Sequence, residues 1–351
     1  MTRDPAPSLI DIADTAAELA ELRSTADAIL SQIWSPERTR ELLDGPGPAF
    51  NDGIWKRVAE LGWPDVLVAE SQGGGGGGLR ELCVLAEAAG AAALPLPLPA
   101  TAAAGWCEQR CAAGLTLILD DVDATLSEGE VTGDWPLVPF GGVADRLLVL
   151  ARRDEEPVLG VVDTNASGVR LRFEQPLDRQ PAAGLSLEAV PLQAIASGPS
   201  AVSRHRGAVD RDRLATVAEL VGIASAANDA AVEYAKVRMT FGRPIGARQA
   251  IKHRLVEQRS VIEIARALVN RAADAYELQH PDADALLSLA VFWAIDSLRR
   301  VPEGATQVFG GIAYTWEHDA HVHLRRAATR IASLGSRAEH RAVVARWLQS
   351  R

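Results

Sequence analysis

Two segments in the last third of the sequence carry residue types suited to a large, anionic, aromatic ligand. The first runs Tyr234-Ala-Lys-Val-Arg238-Met-Thr-Phe241-Gly242-Arg-Pro244-Ile245-Gly246-Ala-Arg-Gln249. An arginine can clamp a phosphate through paired hydrogen bonds. An aromatic ring can stack on a purine, and a glutamine can bond polar ligand groups. The second runs Gln307-Val-Phe-Gly310-Gly311-Ile-Ala-Tyr314-Thr315-Trp316-Glu317. Paired glycines let a ligand approach the backbone closely. The competing interpretation is that these residues only cap and turn a helical hairpin.

Other chemistry-bearing types are less specific. Six consecutive glycines, Gly73 to Gly78, lack the following Lys-Ser or Lys-Thr of a phosphate loop and read as a flexible surface connection. His318, His321 and His323 beside Glu317 and Asp319 have no second ligand cluster, so a solvated helix start is expected there and no metal site. Cys107 and Cys111 share a helix face and read as small apolar packing residues; with Cys83 they make three cysteines, too few for a disulfide framework.

The elements that must position these residues follow from hydrophobic period. Ile12, Ala16, Leu19, Leu22, Ala26 and Ile29 recur at three-four spacing and predict an amphipathic helix. Further helices are expected over Ile54–Leu61 and Leu79–Ala89. From about residue 115 the period shortens: LTLILDD, ADRLLVLARR, PVLGVVDT, VRLRFEQ and LSLEAVPL are strand-like runs bounded by turn residues, ending near residue 200. From Asp210 long helices return, one over Leu214–Met239 and another over Ala250–Leu278, joined by the first of the two ligand-type segments. The plan is α+β multidomain: an N-terminal helical domain (1–102), a middle β-barrel-like domain (103–205) and a C-terminal helical bundle (206–351).

Composition narrows the function classes. The 351 residues carry 46 acidic and 36 basic side chains, a formal charge of −10, with no basic block. That balance argues against nucleic acid or an anionic membrane as partner. No apolar signal core or spanning stretch is present, so the expected location is cytoplasmic. Three of the basic residues are lysine (Lys56, Lys236, Lys252) and the rest arginine, the better anion clamp.

Taken together and in order, the segments resemble the acyl-CoA dehydrogenase family. Leu61-Gly62-Trp63 through Glu70 is similar to the family's first-domain pattern, and the β zone falls where the family has its middle domain. The resemblance implies FAD shared across a subunit interface, with Arg238 meeting the pyrophosphate, Phe241 and Gln249 lining the adenosine part, and Gln307, Gly310 and Gly311 touching the same cofactor of a neighbour. The chain departs from the family where its own flavin ring would lie. Leu137-Val138-Pro139 stand where the family has Trp-Ile-Thr, and proline offers neither a backbone donor nor a hydroxyl. Leu334, before Gly335, stands at the usual position of the catalytic glutamate, and leucine cannot accept a proton. The alternative position for that base falls on Asp212.

The pattern of loss is similar to heterotetrameric acyl-CoA dehydrogenases of the steroid side-chain type, which the stretch from Tyr314 to Asp319 with Arg325-Arg326 resembles most. The resemblance implies a non-catalytic subunit for α,β-desaturation of an acyl-CoA thioester, partnered by a second acyl-CoA dehydrogenase-like subunit and by an electron-transfer flavoprotein. A self-sufficient homotetrameric enzyme using Asp212 as base, and a flavin-free scaffold relative, stay open.

Overall fold

A computed structural model describes residues 9–119 and 124–351 of the chain. The N-terminal part is helical: α1 (Leu9–Ile33), α2 (Pro36–Asp44), α3 (Asp52–Glu60), α4 (Leu79–Ala91) and α5 (Leu98–Cys107). The apolar face of α1 buries Leu19, Ala26 and Leu30 at helical spacing, against a core that includes Leu82, Leu85 and Ala86 of α4.

The glycine run is built tightly and does not behave as the expected flexible connection. Gly75, Gly76 and Gly77 donate backbone hydrogen bonds to Asp65, Val68 and Val66 at 2.8–3.0 Å. A Cβ on Gly74 would lie 2.3 Å from Val68, and Gly76 adopts φ +63°. The segment therefore needs glycine for close backbone approach as well as for turning. It delivers the chain to α4, whose first amides bond to carboxylates: Gly78 to Glu81 at 2.8 Å and Leu79 to Glu277 at 2.6 Å.

The middle part is one sheet: β1 (Thr116–Ile118), β2 (Thr125–Ser127), β3 (Glu130–Val138), β4 (Arg146–Arg153), β5 (Glu156–Asp163), β6 (Val169–Phe173), β7 (Ala183–Pro191) and β8 (Gln193–Ser197). The order is β6-β7-β3-β2-β4-β5-β8, with β1 parallel to β4. No pairing joins β6 to β8 among the described residues, so the sheet is open where a barrel-like closure was expected. Strand β3 alternates, burying Val131, Gly133, Trp135 and Val138. Its ladder to β7 shifts register between Trp135 and Val138. Pro136 lies in that shift and has no N–H to give. The irregularity leaves Leu137 turned outward, 56% exposed.

The last part comprises α6 (Pro199–Val237), the tiny strands β9 (Met239–Thr240) and β10 (Arg243–Pro244), α7 (Gln249–Glu277), α8 (Ala283–Trp293), α9 (Arg300–Phe309), α10 (Ala320–Ala332) and α11 (Arg337–Gln349). Helix α6 begins at Pro199, fifteen residues before the expected Leu214. Gly198 turns the chain at φ +63°, Pro199 suits the first helical position, and Ala201 and Ala208 pack with Leu148 and Leu159 of the sheet. The polar look of Ser203 to Arg206 hid that apolar stripe. The expected domain limits at 102/103 and 205/206 lie inside α5 and α6, each of which packs both on the helical core and on the sheet.

Helices α4 and α6 cross at backbone contact. A Cβ on Gly90 would come within 2.1 Å of the Glu219 carbonyl, and one on Gly222 within 1.9 Å of the Glu87 carbonyl. Beside this crossing lies a buried ionic cluster. Arg326 Nη2 donates to Glu219 Oε1 at 2.7 Å, and Arg330 Nη2 lies 2.8 Å from Glu219 Oε2. Arg326 Nη1 is 3.8 Å from Asp178 Oδ2, tying the helices to the loop after β6. All four residues are at most 6% exposed. Among the described residues, no helix is long and apolar enough to cross a membrane.

Candidate functional site

From its third turn onward α6 presents Val209, Asp212, Arg213 and Thr216 along one face, as three-four spacing requires. They form one wall of a cavity of about 530 Å³. The opposite walls come from Leu137 to Phe140 after the β3 irregularity and from Ser333, Leu334 and Gly335 after α10. The structure thus brings together the two places where the sequence departs from the pattern it resembles, Leu137 to Pro139 and Leu334, and the alternative base position Asp212. Leu334 is fully buried and Gly335 turns at φ +85°. The carboxylate in the lining is Asp212, half-buried, with Thr216 Oγ1 at 3.5 Å from its Oδ1.

The remaining polar groups of this wall are largely engaged. Ser333 donates to the Arg330 carbonyl at 2.8 Å and Thr329 to the Arg325 carbonyl at 3.1 Å. Arg330 is paired with Glu219, donates to the Leu96 carbonyl at 3.2 Å, and lies 5.3 Å from the ring of Phe140. Phe140 is fully buried at φ +61°, a conformation that packing must hold against its steric cost. An isoalloxazine needs donors directed at its carbonyls and ring nitrogens. Pro139 and the aliphatic side chains beside it provide none, so the β3 side of this cavity does not supply what a flavin ring needs.

The other predicted site residues sit at the far end of α6. Along an unbroken helix, a rise of 1.5 Å per residue puts Asp212 and Arg238 roughly 39 Å apart. Arg238 caps α6, its N–H donating to the Tyr234 carbonyl at 2.9 Å while its side chain is exposed. The β9–β10 hairpin turns at Phe241 (φ +51°) and Gly242 (φ +77°), which pushes the Phe241 ring out to 95% exposure. Gly246 lies against Ala235, where a Cβ would meet the carbonyl at 2.9 Å. Gln249 opens α7, exposed.

Gln307 is exposed on α9, which ends at Gly310 in a φ +68° turn, and no atom lies within 4 Å of a Cβ on Gly311. The rings of Tyr234 and Phe309 stand 5.1 Å apart, so the end of α6 and the end of α9 are side by side. The structure therefore joins Arg238, Phe241, Gln249, Gln307, Gly310 and Gly311 on one face and separates them from Asp212. On that face the sequence reading left Tyr314 and Trp316, 77% and 54% exposed, without a role, although both stand in the segment it singled out. In the cavity it missed Arg213 and Thr216, which helical spacing from Asp212 could have found.

The histidine cluster proves to be packed. The His318 ring packs tilted against that of Phe309, centroids 4.3 Å apart, and His323 is 5% exposed. Among the described residues no group of His, Cys, Asp or Glu is arranged to hold a metal ion. Burial, with His318 and His321 nearby, pushes His323 from 6.5 down to about 4. Between those values the unfolded chain takes up a proton that the folded chain refuses, so stability is lost as pH falls from about 6.5 toward 4. The slope approaches about 1.4 kcal/mol per pH unit for one proton. Urea melts at pH 7 and pH 5 should show the loss, and His323→Phe should flatten it.

Comparison with known proteins gives the family and the fold. Family models described as the acyl-CoA dehydrogenase N-terminal and C-terminal domains match residues 16–110 and 200–349. The chain is similar to the acyl-CoA dehydrogenase IpdE2 of Mycolicibacterium smegmatis, 28% identical over 315 residues, covering 90% of this chain and 93% of that protein. A solved structure described as the Tcur3481-Tcur3483 steroid ACAD G363A variant superposes with TM-score 0.85 at 26% identity, covering 95% of this chain and 98% of the other. The ChsE4-ChsE5 complex of Mycobacterium tuberculosis shares the fold, with TM-score 0.83 at 22% identity over 95% and 97% of the two chains.

Proposed function

The chain belongs to the acyl-CoA dehydrogenase family of oxidoreductases, and from that premise we propose that it is the non-catalytic subunit of a heteromeric enzyme. It lends half of an FAD site to a partner subunit that supplies the flavin-ring pocket and the catalytic glutamate. The observation that carries this reading is the separation along α6: the flavin-type residues are intact beside its C-terminal end, while in the cavity toward its N-terminal half Pro139 stands where a flavin donor is expected and no glutamate lines the wall. Arg238 would hold the pyrophosphate, Phe241 and Gln249 the adenosine part, and Gln307 with Gly310 and Gly311 would line the approach. The chemistry the flavin supplies when bound is acceptance of the hydride lost from the β-carbon. This chain's residues bind and orient; the α-proton goes to the partner's base.

The similarity to the Tcur3481-Tcur3483 steroid ACAD supports a bulky acyl-CoA thioester as substrate and a second acyl-CoA dehydrogenase-like subunit as partner; an electron-transfer flavoprotein is the electron acceptor we propose. Coexpression with the neighbouring dehydrogenase gene tests it. The expected complex carries one flavin per two chains by its visible spectrum. One flavin per subunit and acyl-CoA oxidation by the chain alone would overturn the reading, and absence of flavin beside any partner would favour a scaffold role.

A second reading is favoured by the place of Asp212 in the same cavity as Leu334. There it would be the base of a self-sufficient enzyme, one methylene shorter than glutamate. Asp212→Asn decides between them. A base loss would lower kcat by about a hundredfold or more, whereas a subunit without chemistry would leave the complex's turnover in place.

A further inference from the structure

A cavity of about 370 Å³ lies where the ends of α6 and α9 meet the start of α10, outside the residues given a part in holding flavin. Its lining includes the small residues Ala227, Ala305 and Ala320, each at most 7% exposed. Tyr234 and Phe309, ring centroids 5.1 Å apart, give it an aromatic wall. Three carboxylates complete the lining: Glu233, Glu317 and Asp319. Lys236 bonds Glu233 at 2.6 Å and Arg40 bonds Asp319 at 2.6 Å. The Glu317 carboxylate has no counter-ion among the described residues. The lining therefore carries one negative charge beyond what its cations balance, beside ring faces that attract positive charge.

An independent feature points to a ligand here. His323 lines the same cavity, is 5% exposed, and its Nδ1 has no hydrogen-bond partner. Buried polar atoms are ordinarily paired. Burial pushes this imidazole down to about 4, so near pH 7 it is neutral and keeps one ring nitrogen as an acceptor. An N–H donor with positive charge satisfies the ring and the carboxylates together; an anion satisfies neither. We propose that the cavity binds the cationic end of an alkyl guanidinium or primary amine. Its charge sits between Glu317 and the aromatic wall, an N–H is donated to His323, and the alkyl stem lies along the alanines. Failure of the split-site reading would leave this site standing, because none of these residues takes part in that reading.

Calorimetric titration of the full chain with agmatine tests the site, with tetramethylammonium and butyrate beside it. Agmatine is expected to bind one to one. Tetramethylammonium keeps the charge but has no N–H for His323, and should bind about threefold or more weaker; butyrate should not bind. His323→Leu should erase the difference between the two cations. Glu317 is exposed, so Glu317→Gln should fold unchanged and weaken agmatine by about threefold or more. It decides the matter even if His323→Leu does not fold. Glu155→Gln, an exposed carboxylate on the turn between β4 and β5, should change nothing. Repeating the titration on the chain purified with its partner separates two sources of the cation. Retained binding means a free amine is the ligand, and blocked binding means a lysine or arginine side chain of the partner fills the site. Agmatine binding weaker than about 1 mM, equal affinity for the two cations, or an equal loss in Glu155→Gln would overturn the proposal.

Discussion

Arg238→Ala is expected to strip most of the flavin from the assembled enzyme. A guanidinium on a pyrophosphate makes charge-assisted, paired hydrogen bonds, worth about 1.5–3 kcal/mol when lost. That is roughly a 10- to 150-fold weaker hold on the cofactor. The loss would show as a lower visible absorbance per complex after gel filtration and as restored turnover on adding FAD. Folding is spared, because the Arg238 side chain is exposed and the helix end is closed by its backbone N–H. Arg238→Lys should fall between, since lysine keeps the charge without the fork. The residue lies roughly 39 Å along α6 from Asp212, so an effect on flavin cannot pass through this chain's own cavity by contact. Full flavin content in the alanine variant would remove Arg238 from the cofactor site.

Much of this face was legible in the sequence because it is made of short contiguous segments. Arg238 to Gln249 is one connection between α6 and α7, and Gln307 to Gly311 is the end of α9 and its turn, so residue order nearly equals spatial order. The helical parts were legible for a similar reason, through the three-four recurrence of residues such as Leu19, Ala26 and Leu30. The cavity was only half legible. Leu334 and Pro139 declared what was absent by type, but Leu177, Thr216 and Arg330 meet them from three distant elements, and no local pattern announces that. The open edge of the sheet was hidden as well: whether β6 and β8 pair depends on twist and register across eight strands, which strand-like runs do not encode one by one. The glycine run misled because glycine serves both flexible linkers and tightly packed backbone. Only the nearness of Val66 and Val68 tells which applies.

The ionic cluster was not read from sequence at all, and it carries the largest expected effect on stability. Glu219 holds two guanidiniums in a site where no member of the cluster is more than 6% exposed. Glu219→Ala leaves Arg326 and Arg330 facing each other, with Asp178 at 3.8 Å from Arg326 as the remaining carboxylate. Breaking a buried pair from one side typically costs about 3–5 kcal/mol, because a charge stays behind without compensation. At roughly 2–4 °C per kcal/mol for larger domains, the melting temperature should fall by about 6–20 °C. Removing a charge from each side behaves differently. Glu219→Leu with Arg326→Leu leaves Arg330 opposite Asp178, one charge of each sign, and should recover part of the loss. The double variant separates charge imbalance from lost packing: a decrease equal to the sum of the single variants would mean that the cluster acts only by filling space. Arg330 also stands against Phe140 in the cavity wall. The Glu219→Ala variant should therefore loosen that wall while leaving flavin retention at the distant face largely in place. Loss of flavin in proportion to the loss of stability would argue that the cluster supports the helical bundle as a whole, without a particular hold on the cavity wall.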